Sequence, residues 1–403
     1  MQRSTKKFTA GRMDEATRSD CLVEVEPKTR GGITLELESK VDSLYGDSIR
    51  AELAEVCAAL GLGHAAFRIT DQGALPYVLG ARIEAAIKRA LPGIVKEYLP
   101  RGAAREKLSR IKGRLRRTRL YLPGNEPKFF ANAGLHRPDG VVLDLEDSVA
   151  PAEKDTARVV VRNALRSVEF YGAERMVRIN QGRPGMEDLR SVVPQDPDVI
   201  VIPKCEHADV VREIGSEMGA MEKKHGIVPG ILLLPIIESA LGVVNAYAIA
   251  SASPRVCALA IGLEDYTADI GVERTAEGSE SLFARMTIVN AAKAAGVQAL
   301  DSVFSDIDDT GALRSAALRA RSLGFDGMGC IHPRQIEIIH AAFAPSADEI
   351  LKAEQVVRAA EEAQGKGSGV IVLGSKMVDA PVVLRAERIL LLAGRSGAGG
   401  GEQ

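Results

Sequence analysis

The chain has 403 residues, a net charge of −2, 4% aromatic residues and no tryptophan. So balanced a charge removes the electrostatic case for nucleic acid or an anionic membrane, and so few aromatics remove a base-stacking platform. Five scattered cysteines with no CxxC pair, together with the lack of a leader or a long apolar run, lead us to expect a reduced, cytoplasmic protein whose thiols are buried and structural.

Residues 1–18 are polar and basic and read as loose. A strand pattern then starts at Cys21 with Leu22, Val23 and Val25, and after Gly31-Gly32 a second alternates Ile33, Leu35 and Leu37. Ile49, Leu53, Val56, Cys57 and Leu60 keep helical spacing and stop at Gly61, the usual left-handed helix end. A strand at 65–69, the turn Asp71-Gln72-Gly73 and a helix from about Leu75 to Leu91 complete a small α/β module over residues 1–93. Residues 94–117 are rich in Lys, Arg and Gly and read as a solvated basic linker.

The N-terminal module resembles the acyl carrier (gamma) subunit of citrate lyase. The resemblance rests on Gly46-Asp47-Ser48-Ile49-Arg50, on Asp71-Gln72-Gly73-Ala74-Leu75, and on the run Ala81-Arg82-Ile83-Glu84-Ala85-Ala86-Ile87-Lys88-Arg89-Ala90. It implies a covalent phosphoribosyl-dephospho-coenzyme A arm on a serine just before an Asp, a place held here by Ser19. This chain departs from the pattern at Arg18, where the family has the first of two serines and attaches the arm.

From Arg119 onward, apolar strands alternate with helical segments, the signature of a parallel sheet with crossover helices. Eight strands are expected, at 120–122, 141–145, 176–179, 199–202, 231–237, 258–261, 299–304 and 328–331. That count predicts a (β/α)8 TIM barrel over residues 118–340. The alternative, an open doubly wound sheet, would call for a glycine-rich phosphate loop after the first strand, and Pro123-Gly124-Asn125 is not one. Residues 341–403 form a C-terminal helical extension.

A barrel gathers its strand ends on one face, where barrel enzymes work. Here those ends carry Asn125, Glu146, Asp147, Arg178, Asn180, Lys204, Glu206, Glu238, Asp265, Asp306 and His332. Glu238 and Asp265 each close an apolar run and could share a hard divalent cation, most simply Mg2+. Arg178 offers a planar fork to a substrate carboxylate, or equally a salt bridge to a neighbouring strand-end acid. A chelated 2-oxo acid beside an arginine suits the making and breaking of an aldol-type bond.

The segment from Arg119 to the end is identified as a member of the citrate lyase beta-subunit group of aldolases, the HpcH/HpaI family, which includes malyl- and citramalyl-coenzyme A lyases. The words that carry this are Leu-Tyr-Leu-Pro-Gly-Asn (120–125), Val-Leu-Asp-Leu-Glu-Asp-Ser-Val-Ala-Pro (142–151), Val-Arg-Ile-Asn (177–180) and Ile-Pro-Lys-Cys-Glu (202–206), followed by Pro-Ile-Ile-Glu-Ser-Ala-Leu-Gly (235–242), Gly-Phe-Asp-Gly (324–327) and Ile-His-Pro-Arg-Gln-Ile (331–336). The resemblance implies magnesium on Glu238 and Asp265, a keto-acid carboxylate on Arg178, and a coenzyme A-type thioester against Tyr121 and Lys128. Some relatives add a lysine where this chain has Asn132.

The resemblance also points to Asp379, in Gly-Ser-Lys-Met-Val-Asp-Ala-Pro (374–381), as the general acid/base, reached across the interface of a homotrimer. A hinge at 365–369 precedes that word, and the tail beyond Arg395 reads as disordered. The implied reaction is Mg-dependent cleavage of a 3-hydroxyacyl thioester of the citryl type to an acetyl thioester and a 2-oxo acid such as oxaloacetate. A separate acyl-transferase subunit is a possible partner. One rival is a malyl- or citramalyl-coenzyme A lyase on free coenzyme A thioesters with a relic carrier; another is a non-catalytic carrier or scaffold.

Overall fold

The computed structural model describes residues 7–102, 110–365, 371–373 and 376–398. They fall into two compact units, residues 1–336 and residues 337–403.

The first unit opens with a four-stranded sheet in the order β1-β2-β4-β3: β1 (Phe8–Ala10), β2 (Cys21–Pro27), β3 (Ile33–Ser39) and β4 (Ala65–Asp71). β2 pairs antiparallel and β3 parallel with β4. Helix α1 (Asp42–Leu60) follows β3 and α2 (Pro76–Ala90) follows β4. β1 corrects the expectation of a wholly loose start. A three-residue strand has no periodicity to read; it forms because β2 offers it a ladder.

Helix α2 is buried on every side from Tyr77 to Ile87, as a helix must be when it is covered on both flanks. One flank meets the module's own sheet and the other the barrel helix α3 (Lys154–Ser167). Its polar residues are satisfied in place. Arg82 grips Asp20 at 2.8 and 2.9 Å and also donates to Thr156 and to the Asn125 carbonyl. Arg162 of α3 grips Glu84 at 2.8 and 3.0 Å.

The eight expected barrel strands are all present and close a parallel barrel. They are β5 (Thr118–Pro123), β6 (Gly140–Asp144), β7 (Glu174–Arg178), β8 (Val199–Ile202), β9 (Leu232–Ile237), β10 (Ala258–Ile261), β11 (Gln298–Asp301) and β12 (Gly327–Cys330). Outside them lie α3, α4 (Gly182–Val192), α5 (Ala208–His225), the short α6 (Ala240–Val244) and α7 (Ala246–Ala250), α8 (Leu263–Asp269), α9 (Leu282–Ala294) and α10 (Thr310–Leu323); α11 (Arg334–Phe343) begins in the first unit and belongs mostly to the second. After β5 there are only two 3-10 turns, at Pro127–Phe129 and Ala133–His136. Val142, Met176, Val199, Val201, Leu234 and Ile236 fill the barrel interior.

The basic linker is exposed over much of its described length, including Lys96, Arg101 and Lys112, but its C-terminal arginines are not left to solvent. Arg116 is fully buried and holds Glu174 at 2.7 Å through two nitrogens. Arg117 pairs with Asp139 and Arg110 with Asp196, so these cations seal the barrel floor. Composition alone could not reveal this, because the acids that take up the charge lie twenty to ninety residues away. Residues 103–109 of that linker lie outside the described residues.

The second unit contains α12 (Ala347–Gly365), a hairpin of β13 (Ile371–Leu373) and β14 (Lys376–Val378), and α13 (Ala380–Ala398), which packs on α12. The helix continues past Arg395 to Ala398, where a disordered tail was expected, and residues 399–403 of that tail lie outside the described residues. Hinge residues 366–369 and the first two residues of the 374–381 word lie outside the described residues. All five cysteines are free and buried. Among the described residues no helix is long and apolar enough to cross a membrane.

Candidate active site

A cavity of about 370 Å³ opens at the C-terminal ends of the barrel strands. Tyr121, Arg178, Glu238 and Asp265, four of the residues singled out from the sequence, all line it. Tyr121 comes from β5 and Arg178 from the last position of β7. Glu238 follows β9 directly, and Asp265 lies in the first turn of α8.

Arg178 makes the salt bridge that its sequence position allowed. Its Nε and Nη2 donate to the two oxygens of Asp144 at 2.6 and 2.7 Å, while Nη1 faces Glu146 at 3.2 Å. The register places Asp144 opposite Arg178, so neighbouring strands deliver the pair. The guanidinium also stands 5.5 Å from the centre of the Tyr121 ring. Burial pushes the Asp144 carboxyl up, but the hydrogen bond and charge of Arg178 outweigh it and leave Asp144 below its ordinary range.

Lys204 enters the same ring of acids, donating to Glu146 at 2.9 Å and to Asp147 at 3.0 Å, with Asp265 3.9 Å away. It does so from a left-handed backbone, φ 47°, which a lysine adopts only when its surroundings hold it there. Burial lowers its basicity, but the hydrogen bonds it donates to Glu146 and Asp147 raise it by more.

Glu238 is 5% exposed, and its Oε2 has no partner among the described residues. Burial, then the charge of Asp265, push its carboxyl up to about 8. Its side chain lies over the bare backbone of Gly262: a Cβ there would come within 2.6 Å of Glu238 Cγ. Around this point five carboxyl groups (Asp144, Glu146, Asp147, Glu238, Asp265) face Arg178 and Lys204, and a third cation, Arg119, also lines the cavity. Among the described residues no cluster of three or more metal-ligating side chains forms by itself. Mg2+, however, takes one or two carboxylates and keeps its waters. The orphaned Glu238 oxygen, the nearby Asp265 and the surplus of acid fit such an ion.

The other expected residues stand elsewhere. Lys128 is not part of the cavity lining; it pairs with Glu126 at 3.3 Å and covers Phe129, which does line it. Asp306 and His332 accept backbone N–H groups in their own loops. Ser19 is half-buried with φ 54°, its N–H donating to the Gln72 carbonyl, next to the buried Asp20 that Arg82 ties to the barrel. Asp379 belongs to the second unit; it is exposed at the start of α13, where its carbonyl accepts the N–H groups of Val382 and Val383. Sequence reading missed the grip of Asp144 on Arg178 and the need for glycine at 262. The only sign of the first was an acid at the end of a fully apolar strand.

The HpcH/HpaI aldolase/citrate lyase family matches residues 117–333, and the malonate decarboxylase delta subunit (MdcD) family matches residues 6–90. The chain is 44% identical over 287 residues to the citrate lyase subunit beta of Leuconostoc mesenteroides subsp. cremoris, a match covering 70% of this chain and 94% of that protein. It is 32% identical over 312 residues to the mitochondrial citramalyl-CoA lyase of Mus musculus, covering 74% and 91%. A similar solved structure is the protein CitE of Mycobacterium tuberculosis in complex with magnesium, acetoacetate and coenzyme A. It has 31% identity and a TM-score of 0.59, over 70% of this chain and 100% of that one.

Proposed function

The chain belongs to the HpcH/HpaI aldolase/citrate lyase family, and on that premise we propose that it is a magnesium-dependent carbon–carbon lyase whose N-terminal module presents an acyl thioester to the barrel. The substrate is a 3-hydroxyacyl thioester of the citryl type, and the products are an acetyl thioester and a 2-oxo acid such as oxaloacetate. The observation that carries this reading is the convergence of Arg178, Glu238, Asp265 and Tyr121 on one cavity at the barrel's catalytic end.

Glu238 and Asp265 would hold the magnesium ion, which when bound would supply Lewis-acid polarisation of the substrate oxygen that becomes the oxo group. Arg178 receives the carboxylate of the oxo-acid part. Asp144 and the Tyr121 ring fix the guanidinium in advance, so little orientation is lost on binding. Lys204 offsets part of the acid surplus, without which a negative substrate would be repelled. A base removes the hydroxyl proton, the carbon–carbon bond breaks, and its electrons pass to the acetyl thioester as an enolate. Asp379 then protonates that carbon, acting in the site of a neighbouring protomer within a homotrimer. Lys128 and Tyr121 meet the thioester's coenzyme A-type portion, which is either free or anchored at Ser19 as phosphoribosyl-dephospho-coenzyme A. In the anchored case an acyl-transferase subunit would charge it.

Arg18, in place of the family's first serine, favours a second reading: a malyl- or citramalyl-coenzyme A lyase on free thioesters with a relic carrier. Purified protein is incubated with Mg2+ and a panel of hydroxyacyl-coenzyme A thioesters, and the released oxo acid is assayed. Intact-mass measurement of protein from its native host reports on Ser19. A bare polypeptide that turns over free thioesters supports the second reading. If no thioester is cleaved by either the bare or the charged form, the lyase assignment fails.

A further inference from the structure

Arg82, Arg116, Arg119 and Arg162 are fully buried. Three of them are gripped by carboxylates: Arg82 by Asp20, Arg116 by Glu174 and Arg162 by Glu84. Arg119 is different. Its Nη2 donates to the carbonyl of Asp301 at 2.8 Å, and its Nε and Nη1 are buried without a partner among the described residues. The carboxylate of Asp301 is already taken by Arg285. On the flanking strands the register partners of Arg119 are Gly140 and Gly329, which offer no counter-charge.

Arg119 lines the same cavity as Arg178 and Glu238. It stands two residues before Tyr121 on β5, on the same face and about 7 Å deeper. A buried cation with free donors is unfavourable unless something negative reaches it. Here the way in is the cavity itself.

We propose that Arg119 is an anion-holding residue at the cavity floor, taking the second carboxylate of a dicarboxylic 2-oxo acid whose first carboxylate lies at Arg178. The inference rests on the lyase reading above and adds to it a residue that sets specificity. A monocarboxylic acid would leave the guanidinium unpaired. Sites with buried polar groups reject ligands that cannot complete them far more strongly than apolar pockets reject a missing methylene.

The test is calorimetric titration of the full chain, with magnesium present, using freshly dissolved oxaloacetate and 2-oxobutyrate, which has the same chain length and one carboxylate. The wild type is expected to bind oxaloacetate at least about tenfold more tightly. Arg119→Met should abolish that preference by weakening oxaloacetate while leaving 2-oxobutyrate unchanged, and Arg119→Lys should keep part of it. Equal binding of both acids by the wild type overturns the inference alone, as does a preference that survives in Arg119→Met. If the Met variant does not fold, the wild-type comparison and the Lys variant decide the point. Binding of neither acid overturns the oxo-acid site, and the role of Arg119 with it.

Discussion

Replacing Glu238 by glutamine keeps the shape of the side chain and removes its charge. In the fold the carboxyl is held at about 8 against an ordinary 4.5, chiefly by burial. A folded-state value above the unfolded one means that the fold binds this proton more tightly. The resulting stability is fully present below pH 4.5 and drains away as pH rises toward 8. At about 1.36 kcal/mol per pKa unit the whole loss is bounded at about 5 kcal/mol, with about 3 kcal/mol of it between pH 5 and 8. Glutamine cannot ionise, so Glu238→Gln should melt several degrees above the wild type at pH 8 in chelator, with the gap closing at pH 5. Added Mg2+ should raise the wild-type melting temperature and leave the variant's in place, because the cation replaces the proton on this carboxylate. The variant should also lose lyase activity while remaining folded. A stability gap that does not change between pH 5 and 8, or a Mg2+ effect of equal size in both proteins, refutes the reasoning.

Two further predictions concern how the site is built. Gly262→Ala places a methyl within 2.6 Å of Glu238 Cγ, so it should displace that side chain and lower activity at least about tenfold in a folded protein, checked by circular dichroism and steady-state kinetics. Asp379→Ala and Arg178→Ala should each be nearly inactive alone, yet regain part of the activity after subunit exchange, since some sites would then combine an intact Arg178 with an intact Asp379. Verified mixed oligomers with no recovery, or an active monomer, exclude the shared site.

The barrel was legible because buried parallel strands read as continuous apolar runs; β8 and β10 lie where the sequence placed them, at Val199–Ile202 and Ala258–Ile261. The rim residues were legible because a polar side chain straight after such a run has few other places to go. The partners of those residues were hidden. Asp144 and Arg178 are 34 residues apart and meet only through strand register. The strained backbone of Lys204 is set by the acids around it and leaves no trace in composition. Arg119 stands one residue before a recognisable word, and nothing in its neighbours along the chain says that it ends up without a counter-charge. The basic stretch around Arg116 was misread for the same reason: composition reports charge, and burial is decided by what the chain brings to meet it.

Helix α2 has no solvent-facing side between Tyr77 and Ile87, so the module is docked on the barrel of its own chain, and the single chain fixes their ratio at one to one. A carrier that diffuses to its enzyme must be supplied in proportion and is lost on dilution. A module sharing an enclosed helix with the barrel is present once per catalytic centre. If it carries the acyl group as proposed, it would meet that centre at an effective concentration set by geometry instead of by expression level. Dilution that would silence a two-component system would leave such an encounter unchanged.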